Sequence, residues 1–161
     1  YSLIILTGGV SRGKFDYLPE VLEELGVEKH FHKVKQRPGK PFWFGTREGK
    51  NTVFALPGNP VSSFVCANVY LKYWLQLSQG QSTALPYARL KHDLSFPPDL
   101  TWFIECQLTS QEDGTIAAEA FKGNGSGDFA NLTLADGFLV LPEDRSEFKA
   151  GEVYRYIRYR N

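Results

Sequence analysis

Leu56-Pro57-Gly58-Asn59-Pro60-Val61-Ser62, directly after the apolar run Thr52–Ala55, is the stretch that decides how this chain is read. A short buried strand runs into a loop with two prolines and a glycine, and a helix follows. Pro57 fixes its own φ, and Gly58 admits a backbone angle closed to other residues. Asn59 suits a helix N-cap and Pro60 the first helical position. The loop is therefore rigid, with its amides facing whatever lies beyond the strand end. That is how an α/β protein holds an anion. A stiff connection with no ligand is the alternative reading.

Upstream, Leu3–Leu6 is continuously apolar and reads as a strand buried on both faces. Thr7-Gly8-Gly9-Val10-Ser11-Arg12-Gly13 is a glycine-rich turn, and a helix is expected from near Asp16, with Leu18, Val21, Leu22 and Leu25 on one face. Gly8–Lys14 has the spacing of a phosphate-cradling P-loop, but Phe15 stands where a Ser or Thr would hold magnesium. A looser anion-binding loop or a plain turn fits better. Asp16 reads as an N-cap, or as a carboxylate placed to hold magnesium or polarise a water.

Between these motifs, Lys29–Lys40 carries five Lys or Arg, two His and no acid. If Phe31–Arg37 is extended, Lys33, Lys35 and Arg37 share one face, where they repel each other unless an anion lies across them and Lys40. A solvated surface strand is the plainer reading. His30 and His32 lack a third partner and are left unassigned. Phe42–Gly45 and Thr52–Leu56 are expected as strands joined by the turn Thr46–Asn51, and a long, largely buried helix runs from Pro60 to about Leu77.

The texture changes around Ser78–Pro86, where a domain boundary is expected. Beyond it Arg89–Leu94, Trp102–Leu108, Thr115–Ala120, Gly137–Leu141 and Val153–Tyr159 read as strands of a small barrel or sandwich. The loop Gly123–Asp128 lies between strands and has the wrong spacing for a dinucleotide fingerprint. The fold class is thus α/β over residues 1–80, followed by a β-rich domain over 81–161.

Bulk properties narrow the function. The 161 residues hold 18 basic and 18 acidic side chains, a net charge of zero that argues against a nucleic-acid or membrane-surface partner. A hydrophobic content of 42% argues for a packed core. No apolar run is long enough to span a bilayer, and no signal-peptide pattern opens the chain. Cys66 and Cys106, both in apolar segments, read as buried inert thiols of a cytoplasmic protein. With no methionine and a strand almost at its first residue, the chain reads as a piece of a longer polypeptide.

Taken in order, the glycine loop with Asp16-Tyr17, Arg37-Pro38-Gly39-Lys40-Pro41 and Leu56–Ser62 resemble the MoeA/gephyrin E-domain family, the molybdopterin molybdotransferases. The resemblance covers nearly the whole chain. It implies part of a three-layer, MogA-like α/β molybdopterin-binding domain followed by a β-barrel C-terminal domain. It implies an enzyme of molybdenum cofactor biosynthesis that takes molybdate and magnesium-bound adenylylated molybdopterin, inserts molybdenum and releases AMP. Carried over residue by residue, Asp16 would be the functional, magnesium-holding aspartate, and Lys33 and Arg37 the basic site residues. Gly8, Gly9, Ser11, Lys40, Pro57, Gly58, Asn59 and Pro60 would contact the ligand. The family further implies a homodimer and a MogA-like adenylyltransferase that supplies the substrate.

Two departures stand out: Arg12-Gly13-Lys14-Phe15 is bulkier and more basic than in many relatives, and Arg37 stands where Lys is frequent. Full-length relatives carry further domains and the first half of the α/β domain, so the isolated chain is expected to be inactive, beginning at a central strand whose edge is left open. A gephyrin-like scaffold is the non-enzymatic alternative, and a P-loop nucleotide hydrolase a third.

Overall fold

A computed structural model describes residues 2–11, 16–123 and 130–160. Arg12–Phe15, at the end of the glycine loop, and Asn124–Asp128 lie outside the described residues.

The α/β part is a four-stranded sheet in the order β1-β5-β4-β2, built from β1 (Leu3–Thr7), β2 (Glu28–His32), β4 (Trp43–Arg47) and β5 (Asn51–Leu56). β1 pairs in parallel with β5, while β4 runs antiparallel to both β5 and β2. Three strands therefore point the same way, and β1, β5 and β2 all end at one edge of the sheet. Helix α1 (Leu18–Glu24) covers one face through Leu22, which packs with Val10, Val27, Trp43, Val53 and Ala55. The other face carries Phe42, Phe54 and Leu56 against Cys66, Tyr70 and Trp74 of the helical segment that follows.

That segment comprises α2 (Pro60–Cys66), a π-helical turn (Ala67–Leu71) and α3 (Lys72–Ser78). The C-terminal part is a five-stranded barrel. β6 (Tyr87–Leu90), β8 (Thr101–Ser110), β9 (Ile116–Ala120), β10 (Gly137–Leu141) and β12 (Val153–Arg158) pair in the ring β10-β12-β6-β9-β8, which the β10–β8 pairing closes. Strands β7 (Leu94–Ser95) and β11 (Glu147–Phe148) form a small separate ladder, and α4 (Ala130–Leu134) precedes β10.

Period-two alternation explains why the barrel strands are apolar on both faces. Ile104, Cys106, Leu139, Leu141, Tyr154 and Tyr156 fill the barrel. Their neighbours Phe103, Phe138 and Ile157 face outward and pack with Val65 of α2. Phe64 adds edge-on contacts to Phe138 and Tyr159. The helix and the barrel wall thus share one apolar seam.

Several expectations are corrected. β1 is an edge strand with Ile5 46% exposed, because only β5 flanks it and neither apolar face is fully covered. Asp16 does not cap α1: Tyr17 occupies the cap position with no side-chain bond, and Asp16 accepts from Ser11 Oγ at 2.5 Å instead. Val21 and Leu25, expected on the buried face of α1, are exposed. Phe31–Arg37 is not one strand. Lys33 takes a φ of 68°, which ends β2, and Gln36–Arg37 leaves the sheet to form β3 alongside barrel strand β8. The Pro60–Ser78 segment is buried only in α2; no residue of α3 is buried, and Tyr73 and Leu77 are exposed. Gly58 does not use a positive φ. The strand expected over Arg89–Leu94 ends at Leu90, with Leu94 falling in the separate β7, and β11 and α4 are additions to the expected elements.

Candidate functional site

The shared direction of β1, β5 and β2 brings the sequence motifs together, because each motif follows one of those strands. The glycine loop leaves β1, the Pro57–Pro60 loop leaves β5, and Lys33–Pro41 follows β2. Gly8 (φ 84°) and Gly9 (φ 70°) take left-handed backbone that a side chain would strain. Gly8 N donates to Leu56 O at 3.0 Å. A Cβ on Gly58 would stand 3.4 Å from Gly8 Cα, so the two loops run close beside each other. The third loop is tied in by His32, whose Nε2 lies 2.9 Å from Val10 O.

The Leu56–Ser62 loop has the local structure its residues dictate. Asn59 is the N-cap of α2, its side chain accepting from Ser62 N at 3.0 Å, and Pro60 opens the helix. Ser63 Oγ donates to Pro57 O, fastening the first turn to the loop before it. Pro57 is buried, whereas Gly58 and Pro60 are exposed at the rim.

The basic residues divide into groups rather than sharing a face. Lys33 is exposed, and its amide donates to Phe42 O at 2.8 Å. Lys35 turns toward the barrel and pairs with Asp99 at 2.8 Å; that hydrogen bond and the Asp99 charge raise its pKa. Both side chains are largely solvated, so the pair is worth little. Arg37 lies 5.6 Å from the ring centre of Phe96, which stacks on Trp102. Arg37 and Lys40 line a cleft of about 330 Å³ between the sheet edge and the barrel, with Ser62, Trp102, Glu105 and Phe121 on its walls. Neither Asp16 nor Lys33 lines it. The expected site residues therefore lie along one edge, with Gly8, Gly9, Ser11, Asp16 and Pro57–Pro60 in adjoining loops and Arg37 with Lys40 over the cleft.

Beneath the Arg37–Pro41 loop sits a polar cluster that the sequence reading missed. Gln36 is 2% exposed and donates to Pro38 O at 2.9 Å and to Cys66 Sγ at 3.6 Å. Tyr70 donates to Gln36 Oε1, and Cys66 donates to Gly39 O at 3.7 Å. Burial pushes the Cys66 thiol up to about 12 and raises the Tyr70 phenol as well, so neither ionises near neutrality. Cys106 is likewise buried, free and pushed up to about 12, as expected of inert thiols. The only sequence signal for this cluster is a glutamine beside a glycine-proline loop; its partners lie about thirty residues away.

His30 Nε2 is occupied by Thr46 Oγ1 at 2.6 Å. Among the described residues no group of three His, Cys, Asp or Glu could hold a metal ion. Asp16 is the one carboxylate among the predicted site residues, a ligand type that a hard cation such as magnesium accepts. No helix among the described residues is long and apolar enough to cross a membrane.

Comparison with known proteins accounts for both halves of this arrangement. Residues 1–76 match the family described as "Probable molybdopterin binding domain", and residues 87–158 match the MoeA C-terminal region, domain IV. The chain is 43% identical over 160 residues to the molybdopterin molybdenumtransferase of Synechocystis sp., a match covering 99% of this chain and 39% of that protein. It is 32% identical to the Staphylococcus epidermidis protein of the same name, covering 98% of this chain and 38% of the relative. The solved moeA protein of Pyrococcus horikosii superposes with a TM-score of 0.71 at 27% identity, over 99% of this chain and 37% of that one. The chain thus spans about two fifths of the curated relatives it matches. Together the two family matches, the relatives along nearly its whole length and the shared fold place this chain in the MoeA family of molybdopterin biosynthesis proteins.

Proposed function

We propose that this chain forms one wall of the site at which molybdate is inserted into adenylylated molybdopterin with release of AMP. The observation that carries the reading is the convergence of the glycine loop, the Pro57–Pro60 loop and the Arg37–Lys40 loop at one sheet edge beside a cationic cleft. The ligand is a polyanion, so Lys33, Arg37 and Lys40 attract it, Arg37 able to grip a phosphate bidentately and the lysines acting as point charges. Backbone amides of Gly9, Val10 and Ser11 and of Gly58 supply neutral donor groups in the loops beside them. Asp16, oriented by Ser11 Oγ, would hold magnesium, which when bound offsets repulsion between molybdate and phosphate charge.

The same reading assigns residues 1–80 to the pterin-binding domain and 81–161 to the barrel domain. It places the complete enzyme in the cytoplasm as a homodimer, fed by a MogA-like adenylyltransferase. The 161 residues alone are expected to be inactive.

The test is a chimera in which these residues replace the matching segment of the Synechocystis relative. Molybdenum insertion and AMP release by the chimera are expected. Asp16→Asn should cut insertion far more than pterin binding, whereas Lys33→Ala should weaken binding itself. A folded chimera without insertion, or equal losses in both assays for both variants, would overturn the assignment.

A further inference from the structure

The Arg37–Pro41 loop carries two of the cations over the cleft, and one side chain on the π-helical turn reaches both of its ends. Tyr70 grips both ends of the loop. Its hydroxyl donates to Gln36 Oε1 immediately before Arg37. Its ring stacks on Phe42, immediately after Pro41, at 4.5 Å between centroids and 14° between planes. Between those two anchor points Gln36 Nε2 donates to Pro38 O and Cys66 Sγ to Gly39 O.

The packing leaves no slack. A Cβ on Gly39 would stand 2.6 Å from Cys66 Sγ and 2.7 Å from Gln36 Nε2. The Lys40 carbonyl completes the frame by accepting from Val34 N at 3.0 Å and Phe42 N at 2.9 Å. A π turn is an uncommon interruption of a helix, and such turns concentrate at functional sites. Here the turn Ala67–Leu71 carries the residue that reaches the loop. Buried polar networks of this kind fix one geometry when every member is satisfied.

We propose that Tyr70 and Gln36 are positioning residues that set the placement of the Arg37 and Lys40 cations against the phosphate groups of an anionic ligand. Tyr70 does not line the cleft and acts through the loop; Gln36 reaches the cleft wall but is 2% exposed, its side chain bonded to Pro38 O and to the Tyr70 hydroxyl. The inference rests on the reading above in taking those cations as the anion-binding groups.

Tyr70→Phe keeps the ring on Phe42 and removes only the hydroxyl. Two readouts separate positioning from plain stability. The first is hydrogen exchange at the Val34 and Phe42 amides, which report the Lys40 carbonyl and require no ligand. The second is affinity of the chimera for AMP, by calorimetry. Tyr70→Phe is expected to speed exchange at both amides and to weaken AMP binding by about five- to tenfold, the worth of one buried hydrogen bond. Gln36→Leu, which also loses the bond to Pro38 O, should do at least as much, and the double variant should lose little more than Gln36→Leu alone. Phe148→Leu, in the barrel interior, is the control: it lowers thermal stability and leaves both readouts unchanged.

Unaltered exchange in Tyr70→Phe would overturn the inference, as would an equal loss of affinity in Phe148→Leu. Should the unsubstituted chimera bind no AMP, the functional reading fails by itself, and the exchange measurement still decides whether Tyr70 holds the loop.

Discussion

The barrel and the sheet edge solve the problem of order in opposite ways. The barrel closes on itself, its interior filled by one set of alternating side chains, and it needs no partner for its backbone within the ring. The sheet edge is held by loops whose contacts among the described residues include the Gly8 amide on Leu56 O, an N-cap, and a tyrosine across the mouth of a loop. Redundant packing makes a frame, and sparse contacts make a site whose geometry individual residues control.

This contrast is sharpened most strongly at the seam. Phe138 is fully buried between the barrel wall and α2, so Phe138→Ala is expected to cost about 3–5 kcal/mol in urea unfolding. Loss of Trp102 and Trp74 fluorescence signals at one common midpoint would show barrel and helix unfolding as a unit. Separate midpoints would break the picture of a shared seam.

Next in size is Gly39→Ala. At a φ of 94°, with Cys66 and Gln36 inside contact distance of any Cβ, it should cost about 2–4 kcal/mol. AMP affinity should fall in this variant far more than in Phe138→Ala at matched fractions folded. Smaller again is Asn59→Ala, which removes the cap of α2 and should cost about 1 kcal/mol. A near-neutral result would mean the prolines alone hold that loop.

The weakest lever is pH, and its sign follows from the thiols. Cys66 and Cys106 rise from 9.0 to about 12 through burial, so the fold holds neutral thiols that the unfolded chain ionises. Their contribution is complete below the unfolded value and drains as pH climbs from about 9 toward about 12. The urea midpoint should fall over that window, and Cys106→Ala should flatten the decline; an unchanged midpoint between pH 7 and 10.5 would contradict it.

What was legible in the sequence was local. Asn59 and Pro60 mark the start of α2, and the short runs Gly137–Leu141 and Val153–Tyr159, set between turn signals, mark barrel strands. The basic strand misled because period-two reasoning takes a segment to stay in one sheet. Lys33 turns out of it, and Gln36–Arg37 is captured by β8 from far along the chain. Tyr70 was invisible for the same reason: its role depends on partners that only the folded chain brings near. Of the two roles the sequence offers Asp16, the cap falls to Tyr17, while its carboxylate accepts from Ser11 Oγ.

The β3–β8 pairing also sets an order of assembly. Gln36 aligns with Thr101, a long-range pairing whose loop must close before the contact is gained. A nascent chain that has emerged only through α3 holds every site residue predicted from the sequence, but neither the barrel residues that wall the cleft nor the strand against which the Arg37–Pro41 loop is laid. Synthesis therefore completes the predicted site residues first and their arrangement last, and the β3 pairing beside the Arg37–Pro41 loop forms only once β8 has been made.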